Sequence, residues 1–374
     1  MSSAKKNQRC TTRRDFVRNV AAGAAGVTVA GALGRRTAIP APTLKAKGEV
    51  VYAAAKDALK IDVFAQVLPR RYLAAYAKKN NAIAHVEGRS RAISDIDCRM
   101  RLMDKFPDVL QVLTIASPPQ DIYVTPNQAA ELAALANDEL AELLAKYPHK
   151  FAAAVACLPT NNMDAALQEA DRTITQLGFK GVQICTRVAG GSLDQPQFKP
   201  LWRKMTEYDL PIWIHPSVYD GLDQEEGILS WAIETSVATH RLVKAGIFND
   251  YPNIKFIIHH CAAILPYLEK ELKRTTGGHE SGTKPLLCTL EEHFRRFYND
   301  TACHGTPDAL MRRYDFFGAD RMLFGTGDPL SPMNDQTISS VAQMSIPEAE
   351  KMKIFTRNAV SMLRLPLENQ CTRQ

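Results

Sequence analysis

The 374-residue sequence has no CxxC pair among its eight cysteines, no apolar run long enough to cross a bilayer and, past residue 48, no excess of positive charge. Each absence excludes a class. The cysteines (Cys10, Cys98, Cys157, Cys185, Cys261, Cys288, Cys303 and Cys371) are too scattered for a metal finger or a paired redox motif. Cys157, Cys185, Cys261 and Cys303 fall in or at the ends of apolar strand-like runs, where cysteine behaves as a small hydrophobe, and are expected to be buried and reduced. The longest apolar stretch, Val20–Leu33, covers about 14 residues, short of the roughly 20 that span a membrane. Residues 1–48 hold ten Lys/Arg and one acid, Asp15, whereas the rest carries 36 basic and 39 acidic residues. That balance leaves no footprint for a nucleic-acid partner. Repeats, low-complexity tracts and a composition break marking a second folded domain are also missing.

The basic residues precede the Val20–Leu33 stretch, and Arg35-Arg36 follow it, the order of a secretory n-region and h-region. Thr12-Arg13-Arg14-Asp15-Phe16-Val17-Arg18 resembles the twin-arginine export pattern. Residues 1–48 are therefore read as an export leader and linker, with a periplasmic destination and no membrane attachment once the leader is removed. An amphipathic helix of the mature fold is the alternative.

From residue 49 to 374 short β-branched runs alternate with stretches of helical period, the signature of a parallel α/β architecture. The strand candidates are Lys60–Phe64, Val109–Ile115, Phe151–Leu158, Gly181–Cys185, Pro211–His215, Ile254–Cys261, Phe297–Cys303 and Arg321–Gly325. Helices are predicted over Ser94–Lys105, behind a Ser94 or Asp95 cap, and over Gln128–Lys146, Asp164–Gln176 and Ser230–Phe248. An eight-fold alternation predicts a (β/α)8 TIM barrel, in which chemistry belongs at the C-terminal ends of the strands. The informative ends are Ile61–Pro69, Trp213–Pro216, Ile258–Pro266 and Leu323–Pro329.

Taken with Leu177–Ile184, Phe248–Phe256, Phe297–Asp300 and Phe317–Thr326, these segments resemble the amidohydrolase-related decarboxylases and hydrolases typified by aminocarboxymuconate semialdehyde decarboxylase. The resemblance runs over most of the mature chain and implies a divalent metal, usually zinc. Its ligands would be an Asp-x-His-x-His pair on strand one, a histidine on strand five and an aspartate on strand eight. Here the strand-one histidines read Phe64 and Gln66, and the strand-eight aspartate reads Gly327, with Asp328 displaced by one. Only His215 stands in register. A catalytic zinc needs about three protein ligands, and neither phenylalanine nor a neutral amide replaces imidazole or carboxylate. No metal, or a weakly bound one held by His215 and Asp328, is therefore expected.

The resemblance also implies a general acid/base at His260, and strand alternation allows only one of His259 and His260 to face the barrel. With the family register, His260 is predicted to point inward and His259 toward the helices. A hydrogen-bonded structural histidine is the competing reading. His304 is placed at the barrel mouth, Trp231 on a pocket wall or against the barrel, and Arg89 and Arg91 where relatives hold a substrate carboxylate, or on a charged loop. His85, His149, His240, His279 and His293 look like surface residues.

The expected function is decarboxylation of a small aromatic or unsaturated carboxylate by His260 and His215, with Asp328 as orienter. A positioned acid or base contributes about 10²–10⁴-fold. Hydrolysis without a metal lacks an evident oxyanion hole. The rivals are a secreted binding barrel that has lost its chemistry and a metallohydrolase that recruits Gln66 and Asp328. The expected partner is a small carboxylate substrate, with a homodimer admitted by the same reading.

Overall fold

The structure is a computed structural model. It describes residues 59–366, apart from 80–82, 117, 119–123, 189–190, 218–223, 275–285, 303–305, 332 and 334. The leader, His279 and His304 lie outside the described residues. Among the described residues no helix is long and apolar enough to cross a membrane.

Each predicted strand is present. They are β1 (Lys60–Val67), β2 (Val109–Ile115), β3 (Phe151–Ala154, resumed at Ala156–Cys157), β4 (Val182–Cys185), β5 (Ile212–His215), β6 (Phe256–Ile258), β7 (Tyr298–Asp300) and β8 (Met322–Leu323). All neighbours pair in parallel, β1–β2–β3 in one run and the second half of β3 through β8 in another. The ring closes where the chain after β8 runs along β1. Val63 N donates to Phe324 O (2.9 Å), Gly327 N to Phe64 O (2.8 Å) and Gln66 N to Asp328 O (2.6 Å). The fold is the (β/α)8 barrel that the alternation predicts.

The helices used below are α1 (Ile96–Met103), α2 (Pro126–Lys146), α3 (Met163–Thr175), α4 (Lys199–Tyr208), α5 (Gln224–Lys244), α6 (His259–Ala262) and α7 (Asn358–Leu363). Their starts follow local chemistry. Asp95 caps α1 by accepting from Cys98 N, Thr125 and Gln128 form a capping box in front of Pro126, and Asn162 caps α3.

The core has two faces. Phe256, Ile258, Ile184, Leu113, Trp202 and Phe248 pack between strands and helices. Ile61, Val63, Leu110, Val112, Ala153, Trp213, Ile257 and Leu323 fill the lumen, closed from below by Val360 and Leu363 of α7. Trp213 of β5 reaches across it to donate Nε1 to Val63 O (3.1 Å). Cys157 and Cys185 are buried and free, as expected of strand cysteines.

Candidate active site

The two core faces fix which side chains enter the upper lumen. On β6, Ile257 belongs to the lumen and Phe256 and Ile258 to the helix side. The next lumen-facing position is therefore His259, which is fully buried. This corrects the predicted orientation: Ile257 and His259 share the lumen face, and the strand ends at Ile258, before alternation can govern His260. At Ile258 the strand gives way to the turn α6, where His260 takes a left-handed φ of 56°. That turn brings the His260 ring against Trp231 of α5, with centroids 5.4 Å apart and planes 17° from parallel. Both histidines thus reach the site, His259 from the strand and His260 from the turn above it.

On β1 a one-residue register shift between Asp62 and Ala65 follows the lumen residues Ile61 and Val63. Phe64 and Gln66 then both face inward. The Phe64 ring stacks on His259 at 3.7 Å and lies 5.9 Å from His215 and 5.7 Å from His260. Three imidazoles thus converge on one phenyl ring.

His259 Nδ1 sits 2.7 Å from Asp300 Oδ2 at the end of β7, and its Nε2 is buried with no hydrogen-bond partner among the described residues. Asp300 is fixed through Oδ1, which accepts from Ala302 N (3.0 Å). Burial works against its charge, but the His259 hydrogen bond and the neighbouring His259 and His260 outweigh this and hold the carboxyl below its usual range. Gly325 makes the placement feasible, since a Cβ there would lie 2.8 Å from Asp300 Cβ.

His215 Nδ1 lies 2.8 Å from Pro216 O, which can only accept, so Nδ1 carries the proton. Nε2 is left as the lone pair, 3.5 Å from the Gln66 amide nitrogen. Burial, and then His259 and His260, push the His215 pKa well below the ordinary histidine value, so the ring is neutral.

From the end of β8 onward, Leu323, Gly325 and Gly327 face the lumen while Phe324, Thr326 and Asp328 face outward. Asp328 accepts from Gln111 Nε2 (3.0 Å) and Met333 N (3.1 Å), and Arg99 Nη2 stands 3.8 Å away. It orients no histidine, contrary to expectation. Asp300 holds that position instead.

The residues present do not fit a divalent metal. A Cβ at Gly327 would lie 3.6 Å from Phe64 Cε1, so the phenyl ring borders the space where a carboxylate would enter. On β1 the inward residues beside His215 are Phe64 and the amide of Gln66, in place of two imidazoles, and Asp328 is turned away. Among the described residues no group of three His, Cys, Asp or Glu could hold a metal ion.

The other expectations divide. Trp231 reaches the site, half-buried. Arg89 and Arg91 are exposed, and Arg91 pairs with Asp95 (2.9 Å). Arg91 lines an outer cleft of about 560 Å³ with Arg70, Glu87 and Asp95, and none of the site histidines lines it. His149 is exposed, but His293 is buried against Phe248 (6.1 Å), a correction to its surface assignment.

Asp300 and Arg99 are not among the candidates that the sequence pattern singles out. Asp300 is the last residue of a barrel strand, the position that deserves inspection. Arg99 lies between Ile96, Met100 and Met103 of α1 and is fully buried. A charge on an otherwise apolar helical face was the available signal.

Comparison with known proteins matches the amidohydrolase family over residues 84–365. The chain belongs to the amidohydrolase family. It is 30% identical over 297 residues to a gamma-resorcylate decarboxylase of Polaromonas sp. (strain JS666), covering 75% of this chain and 90% of that one. A dihydroxybenzoic acid decarboxylase from Polaromonas sp. JS666, solved with manganese and the inhibitor 2-nitroresorcinol, superposes with a TM-score of 0.69 at 25% identity. It covers 82% of this chain and 97% of that one. The 5-carboxyvanillate decarboxylase of Sphingomonas paucimobilis has the same fold, with a TM-score of 0.74 at 22% identity, covering 82% and 99%. This family member thus stands among enzymes named as decarboxylases, and the metal in the solved relative is manganese rather than the zinc that the resemblance implies.

Proposed function

We propose that the protein decarboxylates a small phenolic or otherwise aromatic carboxylic acid by histidine chemistry, without a tightly held metal. The observation that carries this reading is the convergence of His215, His259 and His260 on Phe64 at the top of the lumen. Phe64 and Trp231 give the site aromatic walls, each ring packed against one of the histidines, and the imidazoles offer proton donors and acceptors. An electron-rich ring holds the charge that develops when its carbon is protonated, so a positioned acid worth about 10²–10⁴-fold contributes directly to the slow step. Hydrolysis is favoured less, because the neutral His215 faces an amide rather than a ligand set that could polarise a carbonyl.

Carbon dioxide release from 2,6-dihydroxybenzoate, 6-methylsalicylate and 5-carboxyvanillate should be measured before and after chelation. Turnover of at least one, unchanged by chelation, is expected. Loss on chelation with recovery on adding manganese would sink the metal-independent part and leave the decarboxylase. No turnover of any, with tight binding of 2-nitroresorcinol, would favour a binding barrel.

A further inference from the structure

Resting on the decarboxylase reading, we infer that the proton carrier is the His259–Asp300 pair, with His259 Nε2 as the atom that delivers the proton to the ring carbon bearing the carboxylate.

The pair is built as an oriented acid/base. A carboxylate only accepts, so His259 Nδ1 donates to Asp300 Oδ2 over 2.7 Å and the exchangeable position is Nε2. That nitrogen is buried on the lumen side and has no hydrogen-bond partner among the described residues, a costly state for a structural histidine. The ring plane is set by Phe64, stacked at 3.7 Å and 24°. The carboxylate is set by Ala302 N and by the missing side chain at Gly325. His215 spends its Nδ1 proton on Pro216 O and turns a lone pair inward, so in its neutral form it has no proton to give there.

The step balances without a co-reactant. The proton on His259 Nε2 is added to the ring carbon, using a π electron pair of the ring to form the C–H bond. The C–CO2 bond then breaks, its electron pair restores aromaticity, and carbon dioxide leaves. His259 is left neutral and regains one proton from solvent, so that carboxylate and proton become arene and carbon dioxide.

Two measurements on the full chain test this. Kinetics of His259→Gln and Asp300→Asn, each checked for a cooperative melt, should show kcat lowered about 10²–10⁴-fold for His259→Gln, with KM within about threefold. Asp300→Asn should fall in the same direction. Separately, wild-type protein with ¹⁵N-labelled histidine is titrated with 2-nitroresorcinol. The His259 Nε2 resonance, assigned by its loss in His259→Gln or, if that variant does not fold, by its through-bond link to the Asp300-bonded Nδ1 proton, should shift as the inhibitor binds.

Variants that turn over like wild type would overturn the assignment and leave the decarboxylase reading intact. A wild type without turnover overturns that reading alone. The titration then decides the pair: a shifted Nε2 supports a group exposed to the ligand, and unmoved His259 signals refute it.

Discussion

Gly327 has a φ of +77°, and a Cβ there would meet Ser331 Cβ at 3.3 Å and Phe64 Cε1 at 3.6 Å. Its backbone conformation favours glycine, and its missing side chain leaves the Phe64 ring its place. Gly327→Ala should destabilise the protein by about 1–2 kcal/mol, the cost of a left-handed residue with a side chain. Urea denaturation would show it. Gly327→Asp should cost more and bring no metal affinity while Phe64 remains, which a manganese titration of that variant would check. The same substitution thus distinguishes a site that lacks one carboxylate from a site whose space has been refilled. Asp62, which lies on the outer face of β1, is pushed up to about 7 by burial, with Asp328 adding to it against hydrogen bonds from Thr326 and Phe64 N. It faces the Arg99 side of the barrel wall and takes no part in the lumen chemistry.

At the scale of elements, α1 is tied to two strands and to the segment past β8 by one side chain. Arg99 donates to Gln66 O of β1 (2.7 Å) and to Gln111 Oε1 of β2 (2.7 and 3.0 Å), and it stands 3.8 Å from Asp328 past β8. Burial lowers its pKa from the usual arginine value, and Asp328 and Asp62 oppose that effect. Removing one partner of a buried ionic network leaves the other uncompensated. Arg99→Met, which keeps the length of the side chain, should therefore cost about 3–5 kcal/mol. The check is equilibrium denaturation, with the wild-type fold tested by circular dichroism. A loss below about 1 kcal/mol would assign the network the small weight of an exposed ion pair. The strand alternation itself was readable in the sequence, since each of the eight runs became a strand. Faces were readable only inside a strand. On β1 a bulge reset the alternation, and on β6 the strand ended before the histidine pair.

For the whole molecule, the lumen is divided by height: apolar residues closed by α7 below, and imidazoles with Asp300 above. A lumen without a ligand triad predicts that protein prepared in manganese- and zinc-replete medium carries well under one metal equivalent, unchanged by His215→Ala. Elemental analysis settles it; one equivalent, lost in that variant, would make His215 a ligand after all. The sequence by itself determined the barrel, because periodicity and strand count are local properties, and it determined that positions 64, 66 and 327 carry Phe, Gln and Gly, none of which offers a metal an imidazole or a carboxylate. Only the tertiary structure decided what stands around them. His259 and Asp300 lie 41 positions apart and meet because β6 and β7 are neighbours in the ring. Asp328 turns outward because closure of β8 on β1 sets its face, a long-range pairing that no local pattern encodes.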